Sequence, residues 1–215
     1  MPADPAYLGV MPTAEKTDLY KLHKSEYITP KKPVLLDVAA ARYLTIEGTG
    51  RAGGEEFQRK LGALYGTAFP LKFESKFAGR DYAVCKLEGI YWTDAGGAGF
   101  VTVPMEQWHW ELIVRTPEFV TPAQLQAAQA KAIAKGVAEA VEVRFQTIGE
   151  GRCVQMLHVG PYANEQATIE QMCAFAKREG YELGDRHHEI YLSDPRRVAP
   201  EKMRTILRIP VRRAR

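Results

Sequence analysis

The chain has 215 residues, 46% hydrophobic and 26% charged, enough apolar material for a core in one large domain or two small ones. Its 29 basic and 26 acidic residues leave a net charge of +3, too near balance to favour nucleic acid, and no run approaches the ~18 apolar residues of a membrane span. Cys85, Cys153 and Cys173 have neither disulfide-framework nor zinc spacing, so the composition sets the expectation of a cytoplasmic protein with free thiols, no metal and no cofactor.

Residues 1–33 are polar and proline-punctuated, and M-P-A-D-P-A-Y-L lacks the basic and apolar regions of a signal peptide. Within them T-D-L-Y-K-L-H-K-S-E-Y places Leu19, Tyr20 and Leu22 at helical spacing, predicting an arm packed on the domain. From Pro33, V-L-L-D-V-A-A-A-R-Y-L-T-I-E-G reads as extended structure, broken by the turn-rich G-R-A-G-G. E-E-F-Q-R-K-L-G-A-L-Y-G-T-A-F then puts Phe57, Leu61, Leu64 and Tyr65 on one helical face. Two strand-like segments follow, D-Y-A-V-C-K-L-E-G-I-Y-W and Q-W-H-W-E-L-I-V-R, separated by the loop T-D-A-G-G-A-G-F.

T-P-A-Q-L-Q-A-A-Q-A-K-A-I-A-K-G carries the strongest helix signal: Thr121 as N-cap, Pro122 at the first position, Gln124 closing a capping box and Gly136 as the stop. The remainder repeats the first half. R-C-V-Q-M-L-H-V-G reads as a strand ending at the turn P-Y-A-N, and the next helix carries Ile169, Met172, Cys173 and Phe175. H-H-E-I-Y-L and M-R-T-I-L-R-I-P-V read as two further strands. Laying L-T-I-E-G over M-L-H-V-G and K-L-E-G-I-Y-W over H-H-E-I-Y-L predicts an α+β fold from a duplicated βαββ module. The expectation is a single domain with pseudo-two-fold symmetry, its antiparallel sheet carrying helices on one side. It comprises an arm over 1–33, a first module over 34–120, a connector helix over 121–136 and a second module over 141–211.

Strand centres are depleted in glutamate, and burying an unpaired carboxylate is costly, so Glu189 in H-H-E-I-Y-L calls for a reason. Alternation puts His187, Glu189 and Tyr191 on one face. The superposition makes Glu88 the mate of Glu189, shares its face with Trp92, and adds Trp108 and Trp110 from the next strand. Two carboxylates with stacked rings suit a lipophilic cation or a large planar aromatic. The plainer alternative is a solvated sheet face with the glutamates paired to Arg204 or Arg208 and the tryptophans in the core. H-H-E is not a metal motif, because adjacent strand residues face opposite ways. The glycine runs lack a dinucleotide or phosphate fingerprint, and no serine elbow is present.

The combination of K-T-D-L-Y-K-L, K-K-P-V-L-L-D-V, L-H-V-G-P-Y, H-H-E-I-Y-L-S-D-P-R-R and P-E-K-M-R-T-I-L-R-I-P-V resembles the stand-alone GyrI-like proteins from about residue 16 to 211. These in turn resemble the ligand-binding domain of multidrug-sensing regulators. The resemblance implies paired modules with a cleft between them for bulky aromatic or cationic compounds, bound against the glutamate here numbered 189 and bordered by Tyr162 of the G-P-Y turn. Some stand-alone members hydrolyse the cyclopropane of DNA-alkylating natural products of the duocarmycin and yatakemycin type. That implies Glu189 as base, Tyr191 or Tyr162 as its helper, and Glu88, Trp92, Trp108 and Trp110 as ligand contacts. A non-catalytic drug-binding module and a protein-interaction role such as gyrase inhibition are the competing classes. The first module has G-T-G where the second has G-P-Y, so the implied cleft is asymmetric.

Overall fold

The computed structural model describes residues 15–96 and 103–214. The first 14 residues of the expected arm, and residues 97–100 of the expected glycine-rich loop, lie outside that range. One helical turn, α1 (Leu19–Leu22), precedes β1 (Val34–Val38), β2 (Ala41–Thr49), α2 (Glu55–Phe77), β3 (Glu88–Trp92) and β4 (His109–Arg115). Then come α3 (Pro122–Ile133), β5 (Arg144–Ile148), β6 (Gly151–Val159), α4 (Gln166–Arg178), β7 (Tyr181–Leu183), β8 (His187–Tyr191) and β9 (Arg204–Arg213).

The strands form one sheet in the order β1-β6-β9-β8-β3-β4-β2-β5, with β7 beside β9, and every pairing is antiparallel. The halves β6-β9-β8 and β3-β4-β2 meet at the β8–β3 seam, so the expected doubling of a βαββ unit is present. Its outer strands are exchanged: β1 is joined in sequence to β2 but pairs with β6, and β5 is joined to β6 but pairs with β2. The extended run from Val34 to Gly48 is therefore two strands on opposite sides of the sheet, and β5 and β7 are additions to the expected elements.

Local chemistry accounts for the helix ends. Thr121 accepts from the Gln124 amide and Gln124 reaches back, closing the capping box at α3. α2 runs eight residues beyond the expected stop at Phe69, through Pro70. Proline removes one backbone hydrogen bond, but Ala68 and Leu71 beside it are buried, and tertiary burial outweighs that local loss.

Cα partners across a ladder point the same way, and neighbours along a strand alternate. Ile46, Leu112, Gly89, Glu189, Leu207 and Met156 form a row of successive partners across the sheet and share one face. α2 buries Phe57, Leu64 and Leu71 on that face against Leu44, Ile46 and Leu112. α4 buries Ile169 and Met172 against Val154, Met156 and Leu207. Both module helices thus lie on the same side, over two separate cores that flank the seam. The arm covers the reverse face, where Tyr27 packs on Ile190 and Ile206.

Candidate functional site

The seam register decides which residues can meet. Glu88 pairs with Ile190, Gly89 with Glu189 and Ile90 with His188, an arrangement symmetric about Gly89 and Glu189. The shared Ile-Tyr dipeptides, Ile90-Tyr91 and Ile190-Tyr191, set the correspondence, and the mate of Glu189 is Gly89. The expectation that Glu88 shares a face with Glu189 is corrected: Glu88 and Trp92 face the arm side, and Glu189 and Tyr191 face the helix side. Aligning the two glutamates had shifted the first module by one residue, and one residue turns a strand over.

Glu189 lies on the helix side between the two cores, 7% exposed. His187, two residues earlier on the same face, brings Nε2 to 3.3 Å from its Oε1. The Tyr91 and Tyr191 hydroxyls, one from each module, are 2.5 Å apart. Tyr191 gives its single proton to the Glu189 carboxylate, so Tyr91 donates to Tyr191 and a two-phenol chain ends on the carboxylate. Burial, then the nearby carboxylate charge, holds both phenols well above the ordinary tyrosine range and keeps them protonated donors. Gly89 makes this approach possible: a Cβ there would stand 2.9 Å from the Tyr91 ring and its hydroxyl.

Rings surround the carboxylate. Tyr162 meets Tyr191 edge-on at 5.7 Å between centroids and is 39% exposed, so its ring links the buried tyrosine pair to solvent. Burial, then the charges of Glu189 and Glu165, push its phenol up to about 12. Trp108 meets Tyr91 at 5.9 Å and packs against both cores, so its indole bridges the modules. Trp110 does not join it, because its indole lies directly over Gly48, where a Cβ would come within 2.1 Å. Trp110 is fully buried under α2 against Phe57, a core residue. The G-P-Y turn is held by His158, whose Nε2 donates to the Pro161 carbonyl at 3.2 Å while Nδ1 accepts from Thr168 Oγ1 at 2.9 Å.

Sequence reasoning missed Glu165, the residue just before α4. It is 7% exposed and shares a hydrogen bond with Glu189. Burial, then the Glu189 charge, holds the Glu165 carboxyl well above the usual range, which favours its protonated form. The donor atoms of Glu165, His187 and Glu189 all lie within 4.8 Å of one another, close enough to compete for one cation. Glu165 occupies a turn, where no periodicity marks which way a side chain points; its place three residues after Tyr162 was the available signal.

On the reverse face Glu88 has a different occupation. Its Oε2 is 3.0 Å from His188 Nε2, and its Oε1 accepts from the Tyr27 hydroxyl at 3.1 Å. His188 Nδ1 lies 3.0 Å from Glu150, which also pairs with Arg208 at 2.8 Å. Arg208 donates to Gln155 and to the Glu26 carbonyl, and Arg115 pairs with the Glu26 carboxylate at 2.7 Å. This buried network ties the arm to the sheet. Trp92 stacks on His109 nearby, with the Arg186 guanidinium 4.4 Å from its ring centre.

Residues 113–212 match the family model described as the GyrI-like small molecule binding domain. A solved structure of an uncharacterized conserved protein from Listeria innocua is 37% identical, over 92% of this chain and all of that one, with a TM-score of 0.84. Another Listeria innocua structure, described as a hydrolase, is 36% identical over the same shares with a TM-score of 0.82. The C-terminal domain of EcmrR shares the fold at 13% identity, over 85% of this chain and 98% of that one, with a TM-score of 0.53. No curated protein matches the chain.

Proposed function

Because this chain belongs to the GyrI-like small-molecule-binding family, we propose that its seam cleft takes bulky aromatic or cationic lipophilic compounds and hydrolyses those bearing a strained cyclopropane. The observation that carries the reading is the buried Glu189, set between two cores and surrounded by Tyr91, Tyr191, Tyr162 and Trp108. A carboxylate among rings attracts cations and planar π-systems. Relatives described as hydrolases at 36% identity support turnover in such a site.

The reaction is water addition to a cyclopropane fused to a conjugated dienone. Glu189 removes a proton from water as the oxygen bonds to the least hindered ring carbon. The cyclopropane C–C bond breaks, and its electron pair flows through the dienone to give a phenolate, which takes a proton. Tyr191 and Tyr162 hold the water and the substrate, and Trp108 stacks on the planar ring. Relief of ring strain supplies much of the driving force, so general-base catalysis of ~10²–10⁴-fold is sufficient.

The test is incubation of purified protein with a cyclopropane-bearing DNA alkylator, followed by mass spectrometry. A water adduct is expected at sub-stoichiometric protein and is lost in Glu189→Gln. Unchanged compound with tryptophan quenching retained would sink the hydrolytic reading and leave a drug-binding module.

A further inference from the structure

We infer that the Glu165–Glu189 pair opens strained three-membered heterocycles, epoxides above all, with Glu189 as base toward water and Glu165 as the acid that protonates the leaving oxygen. The inference rests on the proposed hydrolytic role of Glu189 and adds a second substrate class. Its basis is the position of the acid. In a cyclopropane-dienone the oxygen that collects the electrons lies across a conjugated ring from the attacked carbon, and an acid beside the base cannot reach it. In an epoxide the leaving oxygen is bonded to the attacked carbon. Glu165 and Glu189 bring donor atoms within 4.8 Å of one another, so one small ring can touch both.

Two further observations fit an acid at 165. The side chain is buried, yet its Oε1 has no hydrogen-bond partner among the described residues, leaving an oxygen available to a third group. Burial and the neighbouring charge keep the carboxyl protonated. The step balances without any co-reactant. Water gives a proton to the Glu189 carboxylate as its oxygen bonds to the ring carbon, and the ring C–O bond breaks. As the ring enters, the single Glu165 proton turns from Glu189 to the ring oxygen, the departing oxygen takes it, and a vicinal diol forms. Glu189 is then the acid and Glu165 the carboxylate, and one proton passing back along their shared hydrogen bond restores the starting state.

The probe is styrene oxide in ¹⁸O-labelled water, run beside the cyclopropane-bearing alkylator. The native protein is expected to give singly labelled diol from the first turnover, consistent with direct attack by water. Glu165→Gln is expected to lower epoxide turnover by ~10²-fold or more, and to reduce the ratio of epoxide to cyclopropanoid turnover by at least about tenfold. Retained tryptophan quenching by the alkylator verifies that the variant is folded. Inert epoxide with active cyclopropanoid hydrolysis overturns the inference alone. Equal losses on both substrates overturn the acid role of Glu165, and inertness toward both removes the underlying hydrolytic reading as well. Epoxide turnover that disappears on EDTA treatment and returns with zinc would assign the oxygen to a metal and overturn the proton route.

Discussion

Gly89 occupies the position opposite Glu189 where any side chain would press on the ring and hydroxyl of Tyr91. In Gly89→Ala the new Cβ would stand 2.9 Å from the Tyr91 ring, which must swing out. Overpacking of this kind costs about 1–3 kcal/mol. The expected outcome is a lowered melting temperature together with weaker quenching by an aromatic ligand, because the Tyr91 hydroxyl leaves Tyr191. Melting at the native temperature with native affinity would show that Tyr91 does not shape the cleft. The alternation of H-H-E-I-Y-L was enough to separate Glu189 and Tyr191 from His188 and Ile190. The partner of Glu189 was harder to find in the sequence, since two nearby glutamates attract alignment more strongly than a glutamate and a glycine. Ile-Tyr in both strands carried the true register, and a turn residue such as Glu165 had no pattern to expose it.

Strand β8 turns one face to Glu165 and Tyr91 and the other to the buried network, and His188 is the network's centre. Burial alone would lower its pKa, but the carboxylates of Glu150 and Glu88 raise it from 6.5 to about 9. A raised folded-state pKa contributes stability fully below about pH 6.5, lost as pH rises toward 9. Glu150 has the opposite sign. Against its burial, His188 and Arg208 hold it down at about 2 from 4.5, so its contribution is complete above about pH 4.5 and is lost as pH falls toward 2. Melting temperature plotted against pH is expected to be highest between these limits and to decline on the alkaline side. His188→Gln leaves Glu88 and Glu150 without their shared cation, at a cost of roughly 3–5 kcal/mol, and should remove that alkaline decline. An unchanged decline would assign it to another group. Among the elements, α3 was legible to its first residue because its cap is local chemistry. β1 and β5 were not, because their partners lie in the opposite module, more than 90 residues away in sequence.

Across the whole molecule, the exchanged outer strands and the continuous seam leave neither module able to complete its sheet alone. All three tryptophans, Trp92, Trp108 and Trp110, belong to the first module, whereas far-UV circular dichroism reports both modules. Urea unfolding followed by tryptophan emission and by circular dichroism is expected to give coincident midpoints. Separated midpoints would make the modules independent folding units joined by a passive seam. The doubling itself was visible as repeated texture, because each module carries the same succession of periodicities. Exchange of β1 and β5 was not, since swapping the outer strands changes no residue's local preference.

Strand order along the chain also differs from the order of neighbours in the sheet, with a consequence for biosynthesis. The first module leaves the ribosome with β3 unpaired along the edge that will meet β8, and with β1 waiting for β6. The carboxylates Glu165 and Glu189 emerge only within the last third of translation. The proposed acid–base pair is thus withheld until the nascent polypeptide is almost complete, and a chain terminated before Glu165 carries an exposed β-edge without either carboxylate.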